Sequence, residues 1–146
     1  MIGFVVDASV LVARVRRSEA HHEEARAVLV MLAARRYAVH VPAIALPEVA
    51  AAVSRGAGQP RWAGQAVVDL LDLPGLHITA VDDRLGRIAA QVAAQNRIRG
   101  CDAVYVALAQ ELGTTLITLD REQRERTPAT VTALTPGEVL ADLPPS

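Results

Sequence analysis

Two spacings of apolar residues alternate along the chain. Ile2–Val6, Tyr37–Val41, Leu76–Val81, Leu116–Leu119 and Thr130–Leu134 are short β-rich runs bounded by polar or turn residues. Runs of this kind predict strands; the nearly uninterrupted apolar ones predict strands buried on both faces. Between them, apolar residues recur every three or four positions: Ala25, Val28, Leu29 and Leu32; Leu46, Val49, Ala50 and Val53; Ala63, Ala66, Val67, Leu70 and Leu71; Leu85, Ile88, Ala89 and Val92. That spacing predicts helices burying one face. A short helix is predicted over Val10–Val15, and a longer one opens near Asp102 and stops at Gly113.

Polar punctuation sharpens the boundaries. Pro47 and Pro60 fit first helical turns, Asp82 or Asp83 caps the helix after it, and Thr135 with Glu138 has capping-box spacing. Arg121–Pro128 carries charge without apolar period and reads as irregular, and Leu143–Ser146 reads as a frayed end. Strands alternating with helices predict one α/β domain, residues 1–146, with a mostly parallel sheet covered on both faces.

Composition narrows the chemistry. Half of the 146 residues are apolar but only 3% are aromatic, so the core must be aliphatic. All fifteen basic residues are arginine. Without lysine, a P-loop, a Schiff-base enzyme and a lysine-dependent phospho-receiver are excluded. Cys101 is the lone cysteine, read as a small buried residue; it can make neither an internal disulfide nor a cysteine-based metal site. With no basic leader before Val6 and no apolar run near 20 residues, a cytoplasmic location away from membranes is expected.

Four acids occupy two kinds of position. Asp7 and Asp120 each follow a predicted strand, and Glu48 and Asp102 each sit in the first turn of a predicted helix. In a parallel α/β domain, strand carboxyl ends and helix amino ends share one edge. Carboxylates gathered there repel unless a cation neutralises them. All-oxygen ligands point to Mg²⁺ or Mn²⁺, and to a phosphodiester cleaved by metal-activated water. Ser9 and Thr118 lie near the same edge and could steady a water or a carboxylate.

Three stretches, FVVDASVLVA, PEVAAAVSRG and CDAVYVALAQELGTTLITLD, together with the helix after Asp82 and the closing VTALTPGEVL, resemble the PIN domain over nearly the whole chain. The resemblance is to the VapC-type toxin ribonucleases of type II toxin–antitoxin pairs. It implies a three-layer α/β/α fold around a mostly parallel five-stranded sheet. It implies catalytic and metal-binding roles for Asp7, Glu48, Asp102 and Asp120, with supporting hydroxyls at Ser9 and Thr118. It implies Mg²⁺- or Mn²⁺-dependent endonucleolytic cleavage of RNA such as tRNA or rRNA, and a homodimer inhibited by a cognate antitoxin protein. One departure stands out: relatives often carry an aromatic shortly after the last Asp, where this chain has REQRER.

Arginines flank three of the acids. Arg14, Arg16 and Arg17 follow Asp7; Arg97 and Arg99 precede Asp102; Arg121, Arg124 and Arg126 follow Asp120. Guanidinium binds phosphate bidentately, so Arg14, Arg16, Arg17, Arg97, Arg99 and Arg121 are candidate RNA-phosphate contacts. Trp62 and the Val67–Leu71 face read as core or as a partner surface rather than as an RNA stacking platform, and the four histidines as surface or strand residues. Two alternatives stand beside the endoribonuclease: a non-catalytic PIN-like module binding RNA or protein, and another Mg²⁺-dependent phosphoryl-transfer enzyme. The four acids count against the first. The missing lysine, and the absence of a second acid two residues after Asp7, count against the second.

Overall fold

A computed structural model describes residues 2–57 and 59–143. In chain order the elements are β1 (Gly3–Val6), α1 (Ala8–Val15), α2 (His22–Ala34), β2 (Ala38–Pro42), α3 (Ala45–Ala57), α4 (Pro60–Leu71) and β3 (Leu76–Thr79). Then follow α5 (Asp83–Asn96), α6 (Gly100–Leu112), β4 (Thr115–Ile117), α7 (Arg121–Arg126), β5 (Ala133–Leu134) and α8 (Pro136–Asp142).

The strands form one sheet in the order β3-β2-β1-β4-β5, and every pairing is parallel. The mostly parallel sheet of the sequence reading is therefore wholly parallel. Central β1 is the apolar GFVV run: Val5 and Val6 are fully buried, as a strand covered on both faces requires. Edge strand β3 is the polar one, and its middle residues are exposed. The α1–α4 helices pack on one another and α5 packs on α6, the two groups that right-handed crossovers in this strand order require. Helix α6 packs on β1, β2 and β4, while α1 packs on α2 and α3. The core is aliphatic apart from Phe4 and Tyr105.

Several boundaries differ from the sequence reading. The segment after Asp120, read as irregular, is helix α7. Its support is not apolar: Asp120 caps its N-terminus, and Arg121–Glu125 and Glu122–Arg126 pair across one turn. Strand β5 spans only Ala133–Leu134, because Val131 N–H closes a turn onto Pro128. On α4, Ala63, Ala66 and Leu70 are buried, whereas Leu71 and Trp62 are exposed. Cys101 is also exposed, not buried: it sits in the first turn of α6 and lines a cleft. The capping box at Thr135 and Glu138 forms as its spacing predicts. The frayed end assigned to Leu143–Ser146 lies outside the described residues from Pro144 onward. Among the described residues, no helix is long and apolar enough to cross a membrane.

Candidate active site

Parallel pairing brings the carboxyl ends of β1 and β4 side by side, with Asp7 N–H donating to Ile117 O at 2.9 Å. The chain leaves each strand through a helix cap. Asp7 caps α1, its Oδ2 accepting from Ser9 N–H at 2.9 Å, and Asp120 caps α7, its Oδ1 accepting from Gln123 N–H at 2.9 Å. The hydroxyls lock the two exits together. Ser9 Oγ lies 3.4 Å from Thr118 Oγ1 and accepts from Leu119 N–H, and Thr118 Oγ1 accepts from Asp120 N–H. Glu48 enters from the first turn of α3 and Asp102 from the first turn of α6. All four carboxylates thus sit at helix N-termini, where the backbone dipole favours negative charge.

Their electrostatics show that they share one site. The carboxyl of Asp102 is pushed from 3.8 to about 6, first by burial and then by the charges of Asp7 and Asp120; Arg99 pulls it down and Glu48 adds a further push upward. Asp7, only 5% exposed, is raised by burial, and the charge of Asp120 adds to this against hydrogen bonds from Ser9 and Gln123. Glu48 is raised by burial and by Asp7, opposed by a hydrogen bond from Tyr105.

A carboxyl raised by folding stabilises the fold while protonated; the benefit is complete below its unfolded value and fades as pH rises through the folded one. For Asp102 that window runs from 3.8 to about 6, so at neutral pH its ionised form works against the fold. Asp7 and Glu48 act in the same direction. Melting of the metal-free protein, followed by circular dichroism, is therefore expected to occur several degrees lower at pH 7.5 than at pH 5. A flat profile would contradict a coupled acid site.

Two residues that the sequence reading did not single out organise the acids. Tyr105, fully buried in α6, donates from its hydroxyl to Glu48 Oε1 at 2.7 Å. Tyr105→Phe leaves Glu48 short of a bond and is expected to cost about 1–3 kcal/mol in urea unfolding. Gln123, 1% exposed, touches three acids. Its Nε2 donates to Asp7 Oδ1 at 3.4 Å and to the backbone oxygen of Asp102 at 3.1 Å, and its N–H serves Asp120. The carboxamide orientation is dictated, since a flip would set Oε1 against two acceptors. Among the described residues, Oε1 is buried without a hydrogen-bond partner. A polar residue three positions after an N-capping Asp, in a helix with no apolar stripe, was the available signal.

The candidate arginines divide. Arg99 stands between acids, 3.7 Å from Asp102, 3.8 Å from Asp120 and 4.0 Å from Glu122. Arg16 borders an open cleft of about 780 Å³ between α1 and α3, lined also by Ser9, Glu48 and Cys101. Arg17 lines a neighbouring groove, and Arg14 feels the charge of Asp69 on α4. Arg121 pairs with Glu125 at 2.7 Å, and Arg97 is exposed while its backbone oxygen accepts from Arg126. The Cys101 thiol is raised by partial burial and by Glu48 and Asp102, which keeps it protonated and a poor nucleophile.

Among the described residues, no group of three or more His, Cys, Asp or Glu side chains is already arranged to hold a metal ion. The carboxylates are instead engaged by protein groups: Asp7 by Ser9 and Gln123, Glu48 by Tyr105, and Asp102 and Asp120 by Arg99. Their chemistry still fits a hard divalent cation: all donors are oxygens, the charges are mutually destabilising, and Mg²⁺ needs only one or two carboxylates because it keeps waters.

The sheet is all-parallel, with four acids at its carboxyl edge, where open α/β domains place their ligand sites. Sequence comparison is specific about the family: the PIN domain model matches residues 4–127, and the chain belongs to the PIN domain family. Proteins of this family are generally nucleases and generally use divalent metals. No curated protein sequence matches the chain. Its fold is similar to VapBC2 from Rickettsia felis, solved bound to a promoter DNA fragment (TM-score 0.71, 16% identity, covering 92% of this chain and 98% of that one). It is similar to VapC20 from Mycobacterium tuberculosis, a sarcin-ricin loop cleaving toxin (TM-score 0.71, 20% identity, 89% and 99% covered). It is also similar to a toxin–antitoxin complex from Klebsiella pneumoniae (TM-score 0.65, 17% identity, 92% and 98% covered).

Proposed function

We propose that the chain is a Mg²⁺- or Mn²⁺-dependent endoribonuclease, the toxin of a type II toxin–antitoxin pair. The observation that carries this reading is the convergence of Asp7, Glu48, Asp102 and Asp120, from four separate elements, with Asp102 raised to about 6 by burial and its neighbours. These four residues would hold the ion, which supplies Lewis-acid chemistry: it lowers the pKa of water and neutralises charge developing on a phosphodiester. The chain's own groups do the rest. Ser9 and Thr118 keep the ends of β1 and β4 at fixed spacing, Tyr105 orients Glu48, and Gln123 orients Asp7. Arg99, 72% exposed over the acids, can exchange its carboxylate contacts for a substrate phosphate. RNA as substrate is supported by the likeness to a sarcin-ricin loop cleaving toxin and an antitoxin as partner by the likeness to a toxin–antitoxin complex; a homodimer as the working form is what the resemblance to VapC-type toxins implies.

The test is direct. Total RNA incubated with the purified protein should give discrete fragments with Mg²⁺ or Mn²⁺ and none with EDTA. Cleavage that persists in EDTA would overturn the metal-dependent reading. Absence of cleavage under all conditions, with RNA still bound, would favour the non-catalytic module.

A further inference from the structure

Beside the acid cleft runs a second groove, of about 790 Å³, between the α1–α2 turn and helices α3 and α4. Its lining includes Arg16, Arg17, Arg61, Trp62, Gln65 and Asp69. Arg16 lines the cleft and the groove alike, so the two meet at its side chain. The groove is positive. Three guanidinium groups line it with one carboxylate, Asp69, which already interacts with Arg14; Arg16 also pairs with Glu19 beside the groove, which leaves Arg17 and Arg61 as its excess charge. Among the described residues, no carboxylate pairs with Arg17 or Arg61.

Two of its side chains are held in place without a ligand. The Arg16 guanidinium is 3.3 Å from Glu19 and lies against α3 so closely that a Cβ at Gly56 would stand 2.6 Å from its central carbon. The Trp62 indole is 56% exposed, and its N–H donates to Gln59 Oε1 at 3.1 Å. A large aromatic left in water, fixed in orientation and bordered by guanidinium groups, has the composition of a single-strand nucleic-acid surface: a base stacks on the ring and cations take the backbone.

We propose that this groove is a nucleotide subsite for the RNA strand flanking the cleaved bond. Arg16 takes a backbone phosphate as the strand leaves the acids, a base lies on Trp62, and Arg17 and Arg61 border the backbone. The proposal rests on the endoribonuclease reading and extends it to substrate recognition beyond the scissile phosphate. It predicts a preference for unpaired RNA at that position, since a paired base cannot reach the ring.

Trp62 is the protein's single tryptophan, so its fluorescence reports on the groove alone. The titration uses the Asp102→Asn protein, to prevent cleavage, with hexaadenylate and with a ribose-phosphate hexamer lacking bases. Hexaadenylate is expected to quench the emission saturably, with the Kd given by anisotropy of labelled RNA, and the base-free chain to leave it unquenched. Adding Trp62→Ala should weaken hexaadenylate binding about tenfold without changing the circular dichroism melt. Adding Gly56→Ala instead displaces Arg16 while keeping every charge, and should weaken binding severalfold at equal or higher stability. RNA bound with unchanged emission, and with unchanged affinity in Trp62→Ala, would overturn the proposal. So would equal quenching by the base-free chain, or quenching by an apolar peptide but not by RNA, which would assign the groove to a protein partner. A wild-type protein that neither binds nor cleaves RNA would instead overturn the endoribonuclease reading itself.

Discussion

Asp102→Asn is expected to abolish RNA cleavage and, in the same protein, to raise the melting temperature at pH 7.5. The two effects have one cause. Asp102 is half-buried among three other acids, and its carboxyl is raised to about 6, so at neutral pH it is ionised against the preference of the fold. Asn keeps the shape and removes the charge. The relief is about 1–2 kcal/mol, less than the full linkage value because Arg99 loses its partner and solvent screens the site. For a chain of this size that corresponds to a rise of roughly 2–8 °C. Cleavage should fall by at least about 10²–10³-fold, the scale on which removal of one preorganised charge-stabilising group acts. Differential scanning calorimetry and a fragment assay on the same preparation check both signs. Loss of both activity and stability would mean that Asp102 is a structural cap. Retention of activity would remove it from the catalytic set.

Gln123→Met is expected to lower Mn²⁺ affinity about 10–100-fold, the usual cost of removing a group that orients a metal ligand, while changing unfolding free energy by less than about 1.5 kcal/mol. The stability effect is small because terms offset. Two hydrogen bonds are lost, to Asp7 Oδ1 and to the Asp102 backbone, but the buried oxygen without a partner disappears as well. Met matches the volume, so α7 stays docked. What is lost is the tie between the end of β1 and the start of α6, which sets how far apart Asp7 and Asp102 stand. Isothermal titration of the protein with Mn²⁺ measures this without any substrate. Unchanged affinity would show that the carboxylates find their geometry without the carboxamide. Gln123→Glu is the sharper case, since it sets a fifth carboxylate against Asp7 and should damage both affinity and fold.

These two residues differ in how visible they were. Asp102, Asp7, Glu48 and Asp120 could be picked out because a charge at the end of a buried strand or in the first turn of an apolar helix conflicts with its surroundings. Gln123 gave no such conflict: REQRER has no apolar period and no motif, and burial of an amide leaves no trace in a hydrophobicity pattern. The helix it belongs to was legible only through the Asp120 cap and the pairs Arg121–Glu125 and Glu122–Arg126, a signal weaker than the charge density that argued for a loop. Cys101 was misplaced for a related reason. Residue type favours burial of a small thiol, but the first turn of α6 faces the cleft.

The arginines show the limit of reading by proximity in sequence. Their spacing suggested three groups around the acids. Side-chain partners redistribute them: Arg99 stays over the acids, Arg121 turns to Glu125, and Arg14 and Arg17 turn toward α4. Trp62, expected in the core or on a partner surface, is 56% exposed and so is not core.

By itself the sequence determined the alternation of strands and helices, the aliphatic core, the acids at strand ends and helix starts, and the family, because each depends on local period, local charge or contiguous motifs. Only the tertiary structure decided the strand order β3-β2-β1-β4-β5, which sets Asp7 beside Asp120. It also decided the roles of Tyr105 and Gln123 and the place of Arg16 between cleft and groove. These depend on contacts between segments 57, 116 and 40 positions apart in the chain (Tyr105 with Glu48, Gln123 with Asp7, Arg16 with Gly56), where the partner's identity carries no periodic signal.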